Sequence, residues 1–373
     1  MTAVPKQTDI FVAGGGPAGL AAAIAARLKG FEVAVADGGR PPIDKACGEG
    51  LMPDSFGALR RLGVELDPDQ SFAFRGIRFL GAGVSVAANF PTGSGIAMRR
   101  PQLHQALIDR AAEVGVRLLW GTRVVGVSPD GVSLDEGNVR CLWVIGADGQ
   151  SSRVRRWAGL DRARNESFRF GFRRHYRAAP WTDYMEIYWG TGSQMYVTPV
   201  NRSEVCVALI TRDSRLRLDQ ALPQFPELAK RLIGAAASTT ERGAVTASRS
   251  LRRVFRNRTI LIGDASGSVD AITGEGLSLS FHQAVALADA LASRDLAAYQ
   301  AAHRRLARRP VFMANLMLSL DRFPWLRRRV LHGLASDPEI FANMLAMHVG
   351  AISPADFVLH GMLPLGRQIL TAS

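Results

Sequence analysis

Three side chains in this sequence are candidates for direct chemistry: His175, Tyr196 and Cys47. Histidine titrates near neutrality, so His175 is a candidate base towards a phenol, and it lies beside Tyr176 on a predicted strand where one of the two faces inward. The alternatives are a hydrogen-bonded sheet histidine and, for Cys47, a small buried packing residue. No CxxC and no histidine partner pattern accompanies Cys47, so covalent thiol catalysis is unsupported.

A glycine-rich turn predicts a dinucleotide site. The apolar run at residues 10–13, which follows Asp9, enters a GxGxxG pattern formed by Gly14, Gly16 and Gly19, and an alanine-rich helical run follows. Gly14 permits a tight turn, Gly16 lets the backbone approach a pyrophosphate, and Gly19 lets helix and strand pack closely. A second strand ends at Asp37, whose carboxylate is placed to accept hydrogen bonds from a ribose. The motif alone does not separate NAD from FAD.

Two strand ends further along the chain help to choose between these cofactors. Residues 144–155 contain a strand that ends in Asp148-Gly149, and residues 258–265 contain one that ends in Gly263-Asp264. Together with the glycine-rich turn, these segments resemble the flavoprotein family that includes p-hydroxybenzoate hydroxylase, other single-chain aromatic monooxygenases and the geranylgeranyl reductases. The resemblance covers residues 9–291 and implies that the three motifs meet at one FAD.

The resemblance implies roles for individual residues. Asp264 would bind the ribityl hydroxyls, Arg100 would open a helix near the cofactor, and residues 274–277 would face the flavin ring and pyrophosphate. These roles agree with the chemistry, because a carboxylate accepts from sugar hydroxyls and backbone amides stabilise an anionic reduced ring. The predicted FAD contacts are Gly14, Gly16, Pro17, Ala18, Gly19, Asp37, Gly38, Arg40, Cys47, Gly48, Arg100, Val124, Asp148, Gly263, Asp264, Gly274, Gly276 and Leu277. The sequence leaves open whether NADPH or NADH binds directly or a separate reductase supplies electrons.

The resemblance leaves the reaction open. We favour a monooxygenase that hydroxylates or oxidises an apolar, aromatic or polyketide-like small molecule through a flavin C4a-hydroperoxide. The alternative is a geranylgeranyl reductase-like enzyme that reduces a C=C bond of an isoprenoid or lipid, since residues 47–51 (Cys-Gly-Glu-Gly-Leu) resemble that branch. Tyr196 and Pro199 lie where those reductases carry an aromatic-rich segment ending in Phe-Pro, but the intermediate aromatic residues are missing. A third alternative is a flavoenzyme that acts on a protein or carrier-bound substrate.

Composition limits the partners. The net charge of +13 comes mainly from scattered arginine clusters without interleaved aromatics, so we expect no nucleic acid and, rather, peripheral contact with an anionic membrane or a carrier protein. Three scattered cysteines give neither a disulfide framework nor a zinc site, and we expect no metal. With no signal segment and no run of 18 apolar residues, the expected location is cytoplasmic. The oligomeric state is left open.

These residues require a particular architecture. We predict an α/β fold with a Rossmann-like FAD-binding domain of the GR2 type, an inserted antiparallel β-sheet substrate domain and a C-terminal helical segment. The FAD domain is assigned residues 1–75, 96–162 and 250–300, the substrate domain 76–95 and 163–249, and the helical region 301–373.

Periodicity predicts the remaining elements. Alternating patterns at 168–176, 184–189, 195–198 and 205–210 predict a β-meander that roofs the substrate cavity, whereas 216–242 and 276–308 are typical of helices. For the apolar stripe between residues 310 and 331, we favour packing onto the FAD domain over exposure to a membrane or partner.

Overall fold

The strand that precedes the glycine-rich turn lies in the middle of a large, mainly parallel sheet. The computed structural model describes residues 3–363 and 366. Within this part of the chain the first sheet has eight strands. Their order is Phe255–Arg256, Thr259–Leu261, Gly137–Gly146, Gln7–Ala13, Val33–Asp37 and Arg117–Trp120, with Gly131–Leu134 paired to Gly137–Gly146 and Val124–Ser128 paired to Gly131–Leu134.

The register of the parallel strands brings remote loops together. Ala13 lies opposite both Ala36 and Gly146, and Gly146 lies opposite Leu261. Because parallel strands end at the same edge of a sheet, the loops that follow these four residues converge there. The predicted Rossmann-like arrangement of the three motifs is therefore confirmed.

Helices cover the first sheet on one face. They are Pro17–Arg27, Arg100–Glu113 and Gly276–Ala292, with Ser55–Leu62 packed beside the last of them. The strands are short apolar runs such as Ile10–Ala13 that are buried on both sides, as expected for a covered parallel sheet. The opposite face is closed by the hairpin strands and by the short helix Arg153–Trp157.

The second sheet is antiparallel except at one pair of strands. Its order is Arg242–Leu251, Ala163–Tyr176, Glu204–Thr211, Ser193–Asn201, Tyr184–Trp189, Gly76–Gly81 and Val84–Asn89, with Tyr184–Trp189 parallel to Gly76–Gly81. The predicted simple meander is wrong for the first strand, because Ala163–Tyr176 pairs with Glu204–Thr211 and not with its successor. The domain boundaries expected from the sequence stay a prediction.

Two smaller features complete the frame of the cavity. A third sheet joins Gly50–Leu51 and Ser71–Phe74 to Gly95–Met98, which leads directly into the helix Arg100–Glu113. Residues 216–242 contain the short helices Leu218–Ala221 and Pro226–Arg231, joined by a 3-10 turn, and end at the first residue of the strand Arg242–Leu251. The predicted long helix is wrong there because Pro223 and Pro226 lack the N–H groups that would continue it.

The C-terminal region is helical, with different boundaries from those expected. One helix ends at Ala292, and Asp295 caps the next. The following elements are Leu296–Arg322, Pro324–Ser336, Pro338–His348, Pro354–Phe357 and the π-helix Val358–Met362. The apolar stripe packs on the second sheet rather than on the FAD domain, since Met317 and Leu331 share a core with Phe79 and Trp189. Among the described helices, none combines the length and apolarity needed to span a bilayer.

Candidate active site

A cavity of about 660 Å³ lies between the carboxyl edge of the first sheet and the second sheet. Fifteen of the eighteen predicted FAD contacts line it: Gly14, Gly16, Pro17, Ala18, Asp37, Gly38, Cys47, Gly48, Arg100, Val124, Asp148, Asp264, Gly274, Gly276 and Leu277. Gly19, Arg40 and Gly263 lie outside the lining. Segments separated by more than two hundred positions therefore meet around one space.

Each glycine of the turn has a distinct steric role. Gly14 has a φ of +115°, and an added Cβ would lie 2.4 Å from the carbonyl oxygen of Ala147. A Cβ on Gly19 would lie 1.9 Å from the Gly14 carbonyl oxygen, so Gly19 serves helix packing. At Gly16 no described atom lies within 4 Å of the added Cβ. The backbone at Gly16 is thus open to an approaching group.

The two other predicted residues outside the lining hold neighbouring structure. Gly263 has a φ of +58°, and its added Cβ would lie 2.6 Å from the Cβ of Ala18. Its N–H donates to Gln283 at 2.9 Å. Arg40 is exposed, and its guanidinium lies against Gly121.

The three strand-end aspartates make different contacts. The N–H groups of Gly15 and Gly39 donate to the Asp37 carboxylate, each at 2.8 Å, which orients it while leaving lone pairs for a ribose. Asp148 instead accepts from the N–H groups of Arg153 at 2.6 Å and Val154 at 3.1 Å and so caps a helix.

Asp264 lines the cavity and is the most exposed of the three aspartates. Burial within the protein raises the pKa of Asp264, while the positive charges of Arg100 and Lys45 lower it. A carboxylate in this position can accept hydrogen bonds from sugar hydroxyls. Lys45 also lines the cavity, and the sequence analysis did not select it.

Glu49, two residues after Cys47, connects its own loop to the start of the helix Arg100–Glu113 and to the strand Ala163–Tyr176. It is 3% exposed and has a left-handed backbone φ of 62°. One carboxylate oxygen accepts from the N–H of Arg100 at 2.9 Å, and the other lies 2.6 Å from Nε2 of His175. Glu49 lines the cavity, whereas His175 is fully buried behind it and Tyr176 lies in a separate apolar core. The expectation that His175 or Tyr176 faces the cavity directly is therefore wrong, because the Glu49 loop covers that part of the strand.

Arg173 was also missed by the sequence analysis. On the strand Ala163–Tyr176, the alternation of side chains places Arg173 on the same face as Gly171 and His175, and both Gly171 and Arg173 line the cavity. Arg173 donates to Asp44 at 2.5 Å and to the carbonyl of Lys45 at 3.2 Å. The alternation of side chains along this strand could have identified Arg173 from the sequence.

The thiols near Glu49 are in packing positions. The Cys206 thiol donates to the Cys47 carbonyl oxygen at 3.8 Å, and burial raises its pKa well above the ordinary value. Cys47 accepts from the N–H of Glu49 at 3.4 Å. Glu49, His175 and Cys206 place potential metal-ligand atoms within 4.8 Å of one another, but Glu49 and His175 already bind each other and Arg173 supplies a neighbouring positive charge. We therefore interpret this group as a hydrogen-bonded cluster.

The wall formed by the second sheet is mainly apolar. Tyr196 lines it, but its hydroxyl donates to the carbonyl of Ile272 at 2.8 Å. Burial raises the pKa of Tyr196, so the hydroxyl stays protonated. The aliphatic and thioether residues of this wall are Ile77, Met185, Ile187, Ala208, Leu209, Ile210, Ala244 and Val245.

Comparison with known proteins identifies relatives of this chain. A family model described as FAD binding domain matches residues 7–306. Menaquinone reductase of Mycolicibacterium smegmatis is 30% identical over 330 residues, which cover 79% of this chain and 79% of that protein. Digeranylgeranylglycerophospholipid reductase of Methanosarcina acetivorans is 29% identical over 295 residues, covering 72% and 71%. The fold is similar to that of a flavoprotein/dehydrogenase from Cytophaga hutchinsonii, with a TM-score of 0.84, 16% identity and coverage of 98% and 100%.

The residues of the cavity fit the FAD that this match identifies as cofactor. The open space above Gly16 and the start of the helix Pro17–Arg27 suit a pyrophosphate, and Asp37 suits the adenosine ribose. Asp264 would hold the ribityl chain. The buried polar atoms without a hydrogen-bond partner among the described residues include Nε of Arg100 and Oγ1 of Thr198, and both belong to residues of the lining. A bound ligand would give them one.

Proposed function

The chain belongs to the FAD-binding-domain family of FAD-dependent oxidoreductases, and we propose that it reduces a carbon–carbon double bond in an isoprenoid chain. The apolar wall is the observation that carries this proposal. A run of alkene units offers only hydrocarbon surface, and the wall residues Ile77, Met185, Ile187 and Ile210 offer the same. The single phenol on this wall, Tyr196, is already bonded to the backbone.

The named relatives support the same class of substrate. Menaquinone and digeranylgeranylglycerophospholipid both carry long isoprenoid chains, although their polar groups differ. The hydrocarbon part is what these two lipids have in common, and an apolar cavity such as the one in this chain suits it. Cys47 lies in the loop beside this cavity, where the sequence resembles the reductase branch.

The reaction adds one hydride and one proton to the alkene. The hydride would come from bound FAD that a two-electron donor, such as a reduced nicotinamide or a reduced redox protein, has reduced. The protein holds the chain against the cofactor and excludes water through the apolar wall. One carbon receives the hydride and the other receives the proton, so the double bond becomes a single bond.

Mass analysis of products tests this proposal. The FAD-loaded enzyme would be reduced anaerobically with dithionite and mixed with a geranylgeranyl lipid in detergent. A product heavier by two hydrogens, formed as the flavin absorbance reappears, supports the reductase. Incorporation of one oxygen atom, seen only in air, would instead support the monooxygenase predicted from the motifs, and turnover limited to a carrier-bound substrate would support the third alternative.

A pair of variants tests the role of the apolar wall. Ala208→Leu adds side-chain volume on the wall, so we expect slower reduction of long chains at unchanged FAD content. Ala236→Leu makes the same change at an exposed position and is expected to behave as wild type. Equal turnover by Ala208→Leu and wild type would argue against a substrate on this wall.

A further inference from the structure

A hydroxyl on the apolar wall lacks a hydrogen-bond partner. Thr198 lines the cavity and is 1% exposed, and its Oγ1 makes no hydrogen bond to any described residue. The other hydroxyls of the wall are engaged, since Tyr196 donates to Ile272 and Thr246 accepts from the N–H of Ala271 at 2.9 Å. A buried polar group without a partner is unfavourable, so binding of a ligand with an oxygen atom at this position is favoured.

Gly171 leaves a gap in the surface of the second sheet. It lies inside the strand Ala163–Tyr176, opposite Ile210 on one side and Ala244 on the other. An added Cβ would lie 3.8 Å from the carbonyl oxygen of Ala244 and 4.0 Å from that of Leu209, which are ordinary contacts. The backbone therefore does not require a glycine here. A glycine inside a strand weakens the strand and is typical of places that a ligand approaches closely.

The cavity opens to solvent at the edge of this sheet. Ala244 and Val245 belong to the edge strand, and both are exposed and line the cavity. Lys45, in the loop beside this strand, is also exposed and lines the cavity. Asp44 ties that loop to the strand, since its carboxylate lies 2.8 Å from the guanidinium of Arg242. The opening thus has a fixed rim with an apolar strip along the strand.

A long isoprenoid chain does not fit inside the cavity. The volume of about 660 Å³ is typical of a pocket for one small ligand, and FAD fills part of it. Neighbouring strands lie about 4.8 Å apart, so the three spacings from the strand of Thr198 to the edge strand amount to roughly 14 Å. A chain that begins at Thr198 and crosses the sheet therefore reaches the opening, and its remaining units lie outside.

We propose that the substrate binds with an oxygen atom of its head group on Thr198 and with its isoprenoid chain leaving the cavity across Gly171 and Ala244. The proposal rests on the proposed function, because it gives the orientation of that same substrate. The Thr198 hydroxyl donates to the head-group oxygen. Ala208 lies on the strand between Thr198 and Gly171, so small side chains continue along this path. The double bonds nearest the head group then lie inside the cavity, and Gly171 limits the thickness of the chain that passes it.

Binding of a saturated lipid to the oxidised holoenzyme tests the exit across Gly171. The probe is phytanylglycerol ether in detergent, measured by isothermal titration calorimetry. We expect Gly171→Val to weaken binding by about tenfold, because the side chain fills the gap. Melting temperature and FAD content should not fall, since valine suits a strand better than glycine. Unchanged binding, or loss of FAD from this variant, would overturn the exit.

A second glycine provides the matched control. Gly126 also lies inside a strand, and its added Cβ would lie 3.7 Å from the nearest described atom, but it is outside the lining of the cavity. Gly126→Val should bind phytanylglycerol ether as wild type does. Equal weakening by Gly126→Val and Gly171→Val would show a general effect of valine in a strand and would contradict the proposal.

Removal of the Thr198 hydroxyl tests the inner end of the path. Thr198→Val keeps the shape of the side chain, so we expect about fivefold weaker binding of phytanylglycerol ether, the size of one lost hydrogen bond. Binding of phytane, the same hydrocarbon without oxygen, should not change. Thr259→Val, on a strand of the first sheet outside the lining, is the control. Equal losses for the ether and for phytane would assign Thr198 to packing and refute its role.

A tagged substrate tests the direction of the chain. Geranylgeranylglycerol ether with biotin at the far end of its chain should bind like the untagged ether, and streptavidin should capture the complex. Loss of binding on tagging would place the chain end inside and reverse the orientation. If the wild type binds phytanylglycerol ether as expected but saturates no double bond of the untagged substrate, the proposed function is wrong and the binding mode stands. If it saturates double bonds while Gly171→Val and Thr198→Val bind like wild type, the binding mode is wrong and the function stands.

Discussion

The hydroxyl of Tyr196 donates to the carbonyl oxygen of Ile272 at 2.8 Å and so joins the second sheet to the turn that leads into Gly274. Both residues are buried. This bond indicates a structural role for a tyrosine that the sequence placed among the catalytic candidates. The two roles have different consequences when the hydroxyl is removed.

Tyr196→Phe is expected to lower the free energy of unfolding and to spare turnover. Loss of the donor leaves the buried Ile272 carbonyl unsatisfied, at a cost of about 1–2 kcal/mol. Denaturant unfolding and single-turnover reduction would be measured on the same preparation. A loss of turnover of about a hundredfold at unchanged stability would restore Tyr196 as a catalytic acid.

Substitutions in the glycine turn should separate folding from cofactor binding. We expect Gly16→Ala to fold and melt like wild type without FAD but to lose most bound flavin, because the methyl group enters the open space above the turn. Gly14→Ala should instead destabilise the apoprotein by about 2–3 kcal/mol through strain and a backbone clash. Flavin absorbance per polypeptide and apoprotein melting temperature provide the readouts. Gly57→Ala, in a helix with no described atom within 4 Å of the new methyl, is the control.

Glu275 makes stability depend on pH. Burial, and to a lesser extent Asp54, raise the pKa of Glu275 to about 8, and the counteracting Arg309 lies 3.6 Å away. The neutral form is favoured in the folded state, so its contribution is full below the ordinary pKa of 4.5 and is lost as the pH rises through 8. His348, also 3.6 Å from Glu275, behaves oppositely: burial lowers its pKa to about 4, and its contribution is lost as the pH falls from 6.5 through that value.

The variant Glu275→Gln should remove the alkaline part of this dependence. Relative to wild type, it should gain more than about 1 kcal/mol of unfolding free energy as the pH rises from 4.5 to 8. Urea titrations across this range, with and without FAD, measure the difference. The exposed Glu339→Gln should show none, and parallel stability curves for Glu275→Gln and wild type would refute the expectation.

A corner of the C-terminal region is suited to an anionic membrane. Phe323 and Trp325 are 41% and 61% exposed where two helices meet, and the exposed residues Arg322, Arg328 and Arg329 surround them. Exposed aromatic rings and cations together favour the interface of a bilayer with anionic headgroups. We propose this corner as the site of the peripheral membrane contact expected from the sequence.

Vesicle sedimentation tests this corner. We expect binding to phosphatidylglycerol vesicles and little to phosphatidylcholine vesicles, with Trp325→Ala weakening binding by about tenfold, as for 1–2 kcal/mol of lost apolar burial. Phe168→Ala changes a ring that is 53% exposed elsewhere and should bind as wild type. Equal binding of Trp325→Ala and wild type would place the contact elsewhere.

Local patterns predicted much of the cofactor half of the site. The spacing of Gly14, Gly16 and Gly19 is specific to a nucleotide-binding turn. Each of the three positions excludes a side chain for a different steric reason, and few other turns require all three. Asp37 and Asp264 end apolar strands, so their position at the carboxyl edge follows once the strands are parallel. The roles of individual residues at FAD stay predictions.

The substrate half was less predictable, because its contacts join segments that carry no local signal. The alternating pattern of residues 168–176 indicated a strand but not its neighbours, and its pairing with Glu204–Thr211 is decided by packing of both strands in one sheet. Apolar side chains on helices such as Leu296–Arg322 indicated that one face of the helix is buried. They did not indicate which surface it packs against, because the hydrophobic effect is not directional.

The sequence by itself determined a dinucleotide turn, a flavoprotein resemblance and a set of acidic strand ends, because these depend on short-range steric and hydrogen-bonding rules. Only the tertiary structure decided that Glu49 covers His175, that Tyr196 bonds Ile272 and that the second sheet presents a hydrocarbon wall. The two hydrogen-bonded pairs, Glu49 with His175 and Tyr196 with Ile272, join residues more than seventy positions apart. Whether such a long-range contact forms depends on the free energy of the whole folded chain, and a local sequence pattern does not determine it.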